Sequence, residues 1–348
     1  MEQQVPPPEV LYAKELERLA QETGPRPPGW RLTPQAVVAF VCGSPRLHVS
    51  RKFVGDVSLV ERCVVTLAGQ RALLLVGEPG TAKSMLSELL AAAVCGTSAL
   101  TVQGSAGTTE DQLRYGWNYA QLLAAGPAPE ALVPSPVMAA MASGRVVRVE
   151  EITRCLPEVQ DALVSVLSER RMARPGFCLI ATANLRDRGV SEMSAALKRR
   201  FNFEAVEPIA DADAEVELVR ERTRRALEGV GAPASVDDVV VQTLVTAFRD
   251  LRGGVSQEGW AVERPSTVLS TAEAVAVSES IALAGAFFPH ARDGLRLVPG
   301  QLLGAVRKDD PQDGARLLAY WDAVVRRRAE QGSPSWVQLW QQRHVLET

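Results

Sequence analysis

The chain has 348 residues, enough for two domains, and its formal net charge of −3 argues against nucleic acid as an obligatory partner. No apolar run approaches the roughly 20 residues that cross a bilayer, and the first ten residues lack the basic and apolar regions of a signal peptide, so no membrane association is expected. The five cysteines are scattered without a Cys-x-x-Cys pair, which favours reduced core thiols in a cytoplasmic protein.

The N-terminal region combines two proline-containing segments with a short apolar pattern. Pro6–Pro8 and Arg26–Trp30 flank Leu11–Leu19, which has the spacing of a short amphipathic helix. The alternative is an extended arm that packs on the main domain and is anchored by Trp30. We favour the extended arm.

The strongest local pattern is Arg71–Leu90, which reads RALLLVGEPGTAKSMLSELL. The continuous apolar run predicts a buried strand, the glycine-bearing segment a turn, and the spacing of the later apolar residues a helix. Strand, glycine loop and helix start form the context of a phosphate-binding loop, whose backbone N–H groups face an anion. The predicted nucleotide-binding residues are Gly77, Glu78, Pro79, Gly80, Thr81, Ala82, Lys83, Ser84 and Met85.

Two side chains of this loop are predicted to have chemical roles. Lys83 would reach the β- and γ-phosphates of ATP, and the Ser84 hydroxyl would ligate Mg²⁺. Ala82 occupies the position where the usual pattern has glycine. We expect helical dihedral angles at Ala82, because such angles tolerate a methyl group.

Phe53 and Val54 lie shortly before the helix that leads into the strand of this loop. In nucleotide-binding folds such a segment often supplies the adenine pocket, and both side chains suit that contact. Core packing explains the two residues nearly as well. Both interpretations stay open.

Residues 104–140 are rich in glycine, proline and aromatic side chains. The pattern predicts a helix that carries an irregular insertion, followed by an apolar helix near Val137–Met141. Trp117 and Tyr119 are interpreted as packing residues. An exposed loop that contacts a substrate is the alternative.

A second chemical pattern lies about 67 residues beyond the phosphate-binding loop, where the strand of Gly144–Ile152 ends in Glu150 and Glu151. Glu150 is predicted to hold Mg²⁺ through water, and Glu151 to polarise the attacking water. The next buried strand ends in Asn184, whose amide can orient that water without adding charge. The alternative is that the carboxylate pair is a solvated strand end without a catalytic role.

A basic run follows at Lys198, Arg199 and Arg200, directly before Phe201. If Phe201 is a core residue, the adjacent Arg200 is held in a fixed direction. From residue 208 onward the pattern is helical throughout, and the run Arg326–Arg328 is interpreted as a solvated helix face.

Four of these motifs together resemble an AAA+ ATPase of the MoxR branch, in the order and spacing of Walker A, Walker B, sensor 1 and the arginine-finger region. They are GEPGTAKS (77–84), VVRVEEITR (146–154), IATAN (180–184) and ALKRRF (196–201). The loop sequence, with Ala82 before Lys83, resembles the form found in that branch. The first glutamate of RVEEITR, where most P-loop ATPases have aspartate, and LRDRGV (185–190) are similar to its YehL-like members.

The resemblance covers roughly residues 50 to 290 and implies an α/β fold. This fold is a P-loop AAA+ core with a five-stranded parallel sheet, order 5-1-4-3-2, followed by an all-α lid. The predicted parts are an N-terminal arm and helix (1–49), the nucleotide-binding domain (50–207), the lid (208–298) and a C-terminal helical extension (299–348).

The resemblance also implies a homo-oligomer, a hexameric ring with nucleotide between subunits. Arg199 or Arg200 would then reach the γ-phosphate of a neighbour, with Arg200 as first choice. Arg264 is the nearest match to a sensor 2 arginine, although the Ser-Pro-Arg order of the family is not reproduced. The family places a hairpin before sensor 1, and here only RRMARPG (170–176) separates helix from strand.

The resulting prediction is an ATPase, dependent on ATP and Mg²⁺, that remodels or matures a partner complex. By resemblance, it would act with a protein that bears a von Willebrand factor A domain. The alternative is a nucleotide-gated assembly module with weak ATPase activity in a bacterial stress or defence system. A DNA-handling motor is disfavoured by the acidic balance and the lack of a basic stripe.

Overall fold

Short apolar runs build the central strands of the chain. In the computed structural model, which describes residues 6–168, 173–185, 189–233, 236–288, 291, 293–308 and 310–347, these runs form parallel strands that pair side by side. The strands are β1 (Ala72–Val76), β2 (Thr101–Gln103), β3 (Tyr115–Trp117), β4 (Leu132–Pro134), β5 (Val146–Glu150), β6 (Cys178–Ala183) and β7 (Phe201–Ala205).

Five of these strands form one parallel sheet in the order β2-β5-β6-β1-β7, and β3 and β4 form a separate antiparallel pair. Counted only within the large sheet, the order is 2-3-4-1-5, which is the predicted order 5-1-4-3-2 seen from the other edge. The predicted fold class is confirmed. Because β5, β6 and β1 are parallel neighbours, their carboxyl ends lie at one edge of the sheet, where such folds bind ligands.

The chain divides into two compact units. The first comprises Met1–Glu78 and Ala82–Glu207, and the second comprises Pro79–Thr81 and Pro208–Thr348. The predicted four-part division stays a prediction. Helices of the first unit are α1 (Pro8–Leu11), α2 (Ala13–Leu19), α3 (Pro34–Cys42), α4 (Val57–Ala68), α5 (Lys83–Cys95), α6 (Glu110–Leu113), α7 (Tyr119–Ala125), α8 (Pro136–Ser143), α9 (Pro157–Ser168) and α10 (Ala195–Lys198).

The N-terminal arm is helical, so the preferred interpretation of an extended arm is wrong. Leu16 and Leu19 lie one turn apart on α2 and are fully buried, which gives the helix an apolar face to pack. A buried ion pair between Lys52 and Glu15, 2.5 Å long, ties the helix to the main unit. Trp30 is buried in the same core, as expected of an anchor.

The insertion after β2 contains α6, the β3–β4 hairpin and α7. The packing interpretation fits Trp117, whose ring meets that of Tyr115 edge to face with 6.0 Å between centroids. It does not fit Tyr119, which is 68% exposed on α7. The predicted apolar helix follows the insertion as α8.

The second unit is helical in its described residues, apart from an isolated bridge between Val255 and Ala261. Its α-helices are α11 (Ala212–Gly229), α12 (Asp238–Gly253), α13 (Thr271–Phe287), α14 (Gly294–Val306), α15 (Asp313–Tyr320), α16 (Arg326–Glu330) and α17 (Pro334–Gln341), with a π-helical turn at Trp321–Val325. None of the helices described in either unit is long and apolar enough to cross a membrane.

Arg326 and Arg327 are exposed, as the solvated-face interpretation expects, but Arg328 is buried, which corrects that interpretation for one residue of the run. Arg328 is only 4% exposed and forms ion pairs with Asp250 at 2.8 Å and Glu258 at 2.7 Å. Its guanidinium also lies 4.4 Å from the ring centroid of Trp336. A planar, delocalised cation can stack and pair at once, which suits arginine to a buried position.

Replacing Arg328 with alanine should destabilise the second unit by about 3–5 kcal/mol, because it leaves the buried carboxylate of Asp250 without its partner. Arg326→Ala is the control, since that side chain is 58% exposed and pairs with Glu330 at the surface. The measurement is urea unfolding followed by tryptophan fluorescence, since four of the six tryptophans lie beyond residue 208. Equal shifts for both variants would contradict the burial argument.

Candidate functional site: a phosphate-binding loop facing a buried carboxylate

The loop between β1 and α5 carries the predicted phosphate-binding residues, and α5 begins at Lys83. The ammonium group of Lys83 donates hydrogen bonds to the carbonyl oxygens of Gly77 at 2.9 Å and Glu78 at 2.7 Å. Burial lowers the pKa of Lys83, although the nearby carboxylates of Glu151 and Glu150 oppose that shift. The loop therefore holds a buried cation at the carboxyl end of β1.

Ala82 has φ +67° and ψ +25°, so the expectation of helical dihedral angles there is wrong. These angles belong to the left-handed region, where a Cβ atom costs about 1–2 kcal/mol. The reason is the path of the chain, which turns at Ala82 into the first residue of α5. Glycine is common at this position because it adopts such angles without that cost.

Replacing Ala82 with glycine should therefore raise the free energy of unfolding by a net ~0.5–1 kcal/mol, after the larger backbone entropy of unfolded glycine is subtracted. The measured sign of this change is a higher midpoint of thermal unfolding. Ala124→Gly is the matched control, because Ala124 is exposed within α7 and has helical geometry. That change should lower the midpoint, since glycine costs about 1 kcal/mol in a helix. Shifts of the same sign in both variants would refute strain at Ala82.

Glu150, the last residue of β5, is the centre of a buried hydrogen-bond cluster. Its Oε2 accepts from the hydroxyls of Ser84 and Thr182, both at 2.7 Å. Its Oε1 accepts from the hydroxyl of Ser87, also at 2.7 Å. The cluster joins the start of α5 to two adjacent strands.

Arg148 completes the cluster from the same strand. Its Nη2 and Nε donate to Glu150 Oε1 at 2.9 and 3.2 Å. The two side chains meet because residues two apart on a strand share a face. Burial acts to raise the pKa of Glu150, but the three hydroxyl donors and the charge of Arg148 outweigh it, and the pKa is lowered.

Three members of this cluster, Ser87, Arg148 and Thr182, are not among the site residues predicted from the sequence. Signals for two of them were present. Ser87 is three residues after Ser84 on one helix face, and Arg148 is two residues before Glu150. Neither spacing reveals which elements pack together, and Thr182 depends on the register of β5 with β6.

The donor set fits magnesium. Mg²⁺ prefers oxygen ligands, usually keeps several waters and takes only one or two protein groups. The Ser84 hydroxyl and the Glu150 carboxylate are adjacent oxygen groups. Since Glu150 already accepts from four side chains, it is suited to hold the ion through a water rather than directly.

Glu151 has a different environment from Glu150. It adopts φ +53°, a left-handed angle, and its backbone N–H donates to the Thr182 hydroxyl at 2.9 Å. Its Oε2 lies 3.6 Å from Nε of Arg154 but has no hydrogen-bond partner among the described residues. A side chain at Gly104 would collide with this turn, because a Cβ there would lie 2.4 Å from the carbonyl oxygen of Glu151.

Asn184 follows β6 directly and is 5% exposed. It lies two residues after Thr182, at the sheet edge that also carries Glu150. This placement brings the predicted amide to the same edge as the carboxylate pair. Residues 186–188 of the LRDRGV segment and residues 169–172, which include the start of RRMARPG, lie outside the described residues.

The two candidate finger arginines differ. Arg200 donates from Nε to the Ser168 hydroxyl at 2.7 Å and from Nη1 to the carbonyl oxygen of Ala196 at 2.6 Å. Arg199 is exposed, and its side chain has no hydrogen bond or ion pair to another described residue, although its backbone N–H donates to the carbonyl oxygen of Ala195 at 3.3 Å. Phe201 is buried, as the sequence predicted.

Three remaining candidates have clear local environments. Phe53 is buried in the core of the first unit and Val54 is half-buried, which favours the packing interpretation of Phe53. In the second unit, Arg264 is exposed and its Nη2 donates to the carbonyl oxygen of Gly253 at 2.5 Å. A sensor 2 role for Arg264 stays a prediction.

The parallel sheet, the loop at Lys83 and the carboxylates at the end of β5 define a P-loop protein of the AAA+ class. Residues 72–201 match the family model of the AAA domain (dynein-related subfamily), and residues 213–347 match that of the YehL-like AAA+ ATPase C-terminal domain. YehL of Escherichia coli (strain K12) is 47% identical over 99% of this chain and 98% of its own length. The chain belongs to the YehL-like family of AAA+ ATPases.

Other similarities are weaker. A Staphylococcus haemolyticus (strain JCSC1435) protein is 28% identical over 56% of this chain and 73% of its own length. Among solved structures, a Thermotoga maritima RuvB variant aligns with a TM-score of 0.47 and 14% identity, covering 85% of this chain and 89% of its own. NtrX from Brucella abortus aligns with a TM-score of 0.43 and 12% identity, covering 84% of this chain and 69% of its own.

Proposed function

We propose that this protein hydrolyses ATP in the presence of Mg²⁺. The observation that carries the proposal is the hydrogen bond between Ser84 and Glu150, because it joins the start of the phosphate-binding loop helix to the carboxylate strand. A chance match to a glycine motif in the sequence would not place the Ser84 hydroxyl beside the Glu150 carboxylate. Family membership supports the same conclusion.

Each part of the site has a distinct task in this proposal. The backbone of residues 77–82 and the ammonium of Lys83 bind the phosphates. Ser84 and Glu150 hold the ion, Ser84 through its hydroxyl and Glu150 through a water. When bound, Mg²⁺ neutralises charge that develops on the phosphoryl oxygens.

Glu151 is the residue that polarises the attacking water. Its Oε2 lacks a hydrogen-bond partner among the described residues, so that oxygen has a free acceptor position. Asn184, at the neighbouring strand end, orients the water with its amide. A neutral amide can do this without repelling the phosphates.

Glu151→Gln should leave ATP binding intact and slow turnover by ~10²–10⁴-fold, because an amide does not accept a proton as a carboxylate does. Glu150→Gln should instead raise the Mg²⁺ concentration needed for half-maximal turnover. Phosphate release and fluorescent-nucleotide binding by the full chain measure both effects. Small, equal effects of the two changes would mean that the carboxylate pair has only a structural role.

The proposal includes a homo-oligomeric ring in which an arginine from a neighbour completes the site. A guanidinium supplied across such an interface stabilises the charge of the transferring phosphoryl group. Arg199 is now preferred to Arg200, because the guanidinium of Arg200 is already engaged by Ser168 and Ala196. A hexamer is the expected ring.

Arg199→Ala should reduce turnover by ~10³–10⁵-fold while ATP binding stays near normal. The matched control is Arg200→Ala, which removes an adjacent cation but should lower turnover far less. Mixing Arg199→Ala subunits with Glu151→Gln subunits should restore part of the activity, because some interfaces then pair an intact site with an intact finger. If rings verified to contain both variants recover no activity, Arg199 does not act on the nucleotide of a neighbouring subunit.

We propose that ATP hydrolysis drives remodelling or maturation of a partner complex. A protein with a von Willebrand factor A domain would act together with this chain. This part rests on the resemblance to MoxR-type ATPases. A second candidate is a nucleotide-gated assembly module with weak turnover. The saturation of Glu150 by four side-chain donors favours the second candidate, since it leaves less charge for the metal.

Turnover measured with and without a co-expressed von Willebrand-type protein separates the two candidates. Stimulation by that protein, with release of a client, supports the remodelling role. Slow turnover that does not respond, together with nucleotide-dependent changes in oligomer size, supports the assembly module.

A further inference from the structure

Arg148 is a buried arginine that the proposed chemistry does not use. Its side chain is 8% exposed and that of Glu150 is 7% exposed, so the ion pair between them is largely shielded from water. Arg148 also donates from Nη1 to the carbonyl oxygen of Ser98 at 3.0 Å and from Nε to the Ser87 hydroxyl at 3.0 Å. These bonds fix the guanidinium on three sides.

We propose that Arg148 is a built-in counter-cation that lowers the affinity of the magnesium site. The inference rests on the proposed function and deepens it by assigning a residue that sets the metal requirement. Arg148 is a positioning residue, because it acts through Glu150 and not on nucleotide. The pair Arg148 and Glu150 has no net charge, whereas a lone Glu150 would offer the ion a full negative charge. Arg148 Nη1 also lies 3.4 Å from Oε1 of Glu88, but that side chain is 39% exposed, so solvent screens its charge more than that of Glu150.

The location makes this compensation effective. Arg148 bonds to Oε1, and Ser84, the other predicted metal ligand, bonds to Oε2 of the same carboxylate. The guanidinium is therefore one carboxylate away from the metal position, in surroundings that screen charge less than bulk water does. A fixed cation at this distance repels Mg²⁺ and cannot be neutralised, because arginine stays protonated in proteins.

The alternative role is purely structural, in which Arg148 only satisfies the buried carboxylate. Glu150 already accepts three hydroxyl hydrogen bonds, from Ser84, Ser87 and Thr182. A carboxylate with that many donors does not need an arginine to be satisfied. Charge compensation accounts for the additional cation, and it predicts an effect on metal affinity that a structural role does not.

The test is Mg²⁺ titration of the full chain with a fluorescent ADP analogue, alongside calorimetry of Mg²⁺ binding to the ADP complex. Arg148→Gln removes the charge but keeps a donor for Glu150, so the Mg²⁺ concentration of half-effect should fall about tenfold. Arg148→Lys keeps the charge and should stay within about threefold of the unmodified protein. Nucleotide affinity in EDTA should be nearly the same in all three.

Arg148→Met serves where Arg148→Gln does not fold, and it should shift the half-effect concentration in the same direction. An unchanged or higher Mg²⁺ requirement in these neutral variants overturns the inference, as does an equal shift in Arg148→Lys. If the unmodified chain binds no nucleotide with or without Mg²⁺, the proposed function fails and the inference fails with it. Intact nucleotide binding with no shift in metal requirement overturns the inference alone.

Discussion

The structure of the first unit depends on the buried carboxylate of Glu150. Three hydroxyls and a guanidinium converge on it, and they come from α5, β5 and β6. A buried carboxylate that lacks partners costs several kcal/mol, so these elements must meet in one arrangement for the charge to be tolerated. The same contacts that satisfy the charge place the start of α5 beside the strand ends, where the nucleotide chemistry is proposed.

Backbone strain is concentrated around this carboxylate. Ala82 and Glu151 are two of the three non-glycine residues with positive φ among the described residues, and each lies within two positions of a cluster member in sequence. Such conformations persist only where surrounding contacts over-determine the chain path. At Glu151 the contacts are the Thr182 hydroxyl and the close backbone of Gly104. The left-handed backbone at Glu151 directs its side chain away from the donors that bind Glu150. Oε2 of Glu151 therefore has no hydrogen-bond partner among the described residues, whereas both oxygens of Glu150 accept hydrogen bonds.

Much of the fold and part of the site could be predicted because their signals are local. The apolar runs, the loop at Lys83 and the resemblance they carry predict the sheet order, and the sequence predicts Ser84 and Glu150 as magnesium-binding residues. Features set by distant partners could not be predicted. The dihedral angles of Ala82 depend on how the loop enters α5. The burial of Arg328 depends on Asp250, 78 positions earlier, which no periodicity reveals.

A comparison of two buried carboxylates shows what the arginine at each one contributes. Asp250 pairs with Arg328 and accepts from the Tyr320 hydroxyl, yet burial prevails and the pKa of Asp250 is raised. Glu150 also has one arginine, but it has three hydroxyl donors, and its pKa is lowered. The arginine is common to both sites, and the other donors differ: Asp250 accepts from the Tyr320 hydroxyl and the backbone N–H of Gln257, whereas Glu150 accepts from three hydroxyls. The three hydroxyls and the charge of Arg148 together lower the pKa of Glu150. Arg148 therefore contributes a fixed positive charge beside the carboxylate that is proposed to hold Mg²⁺.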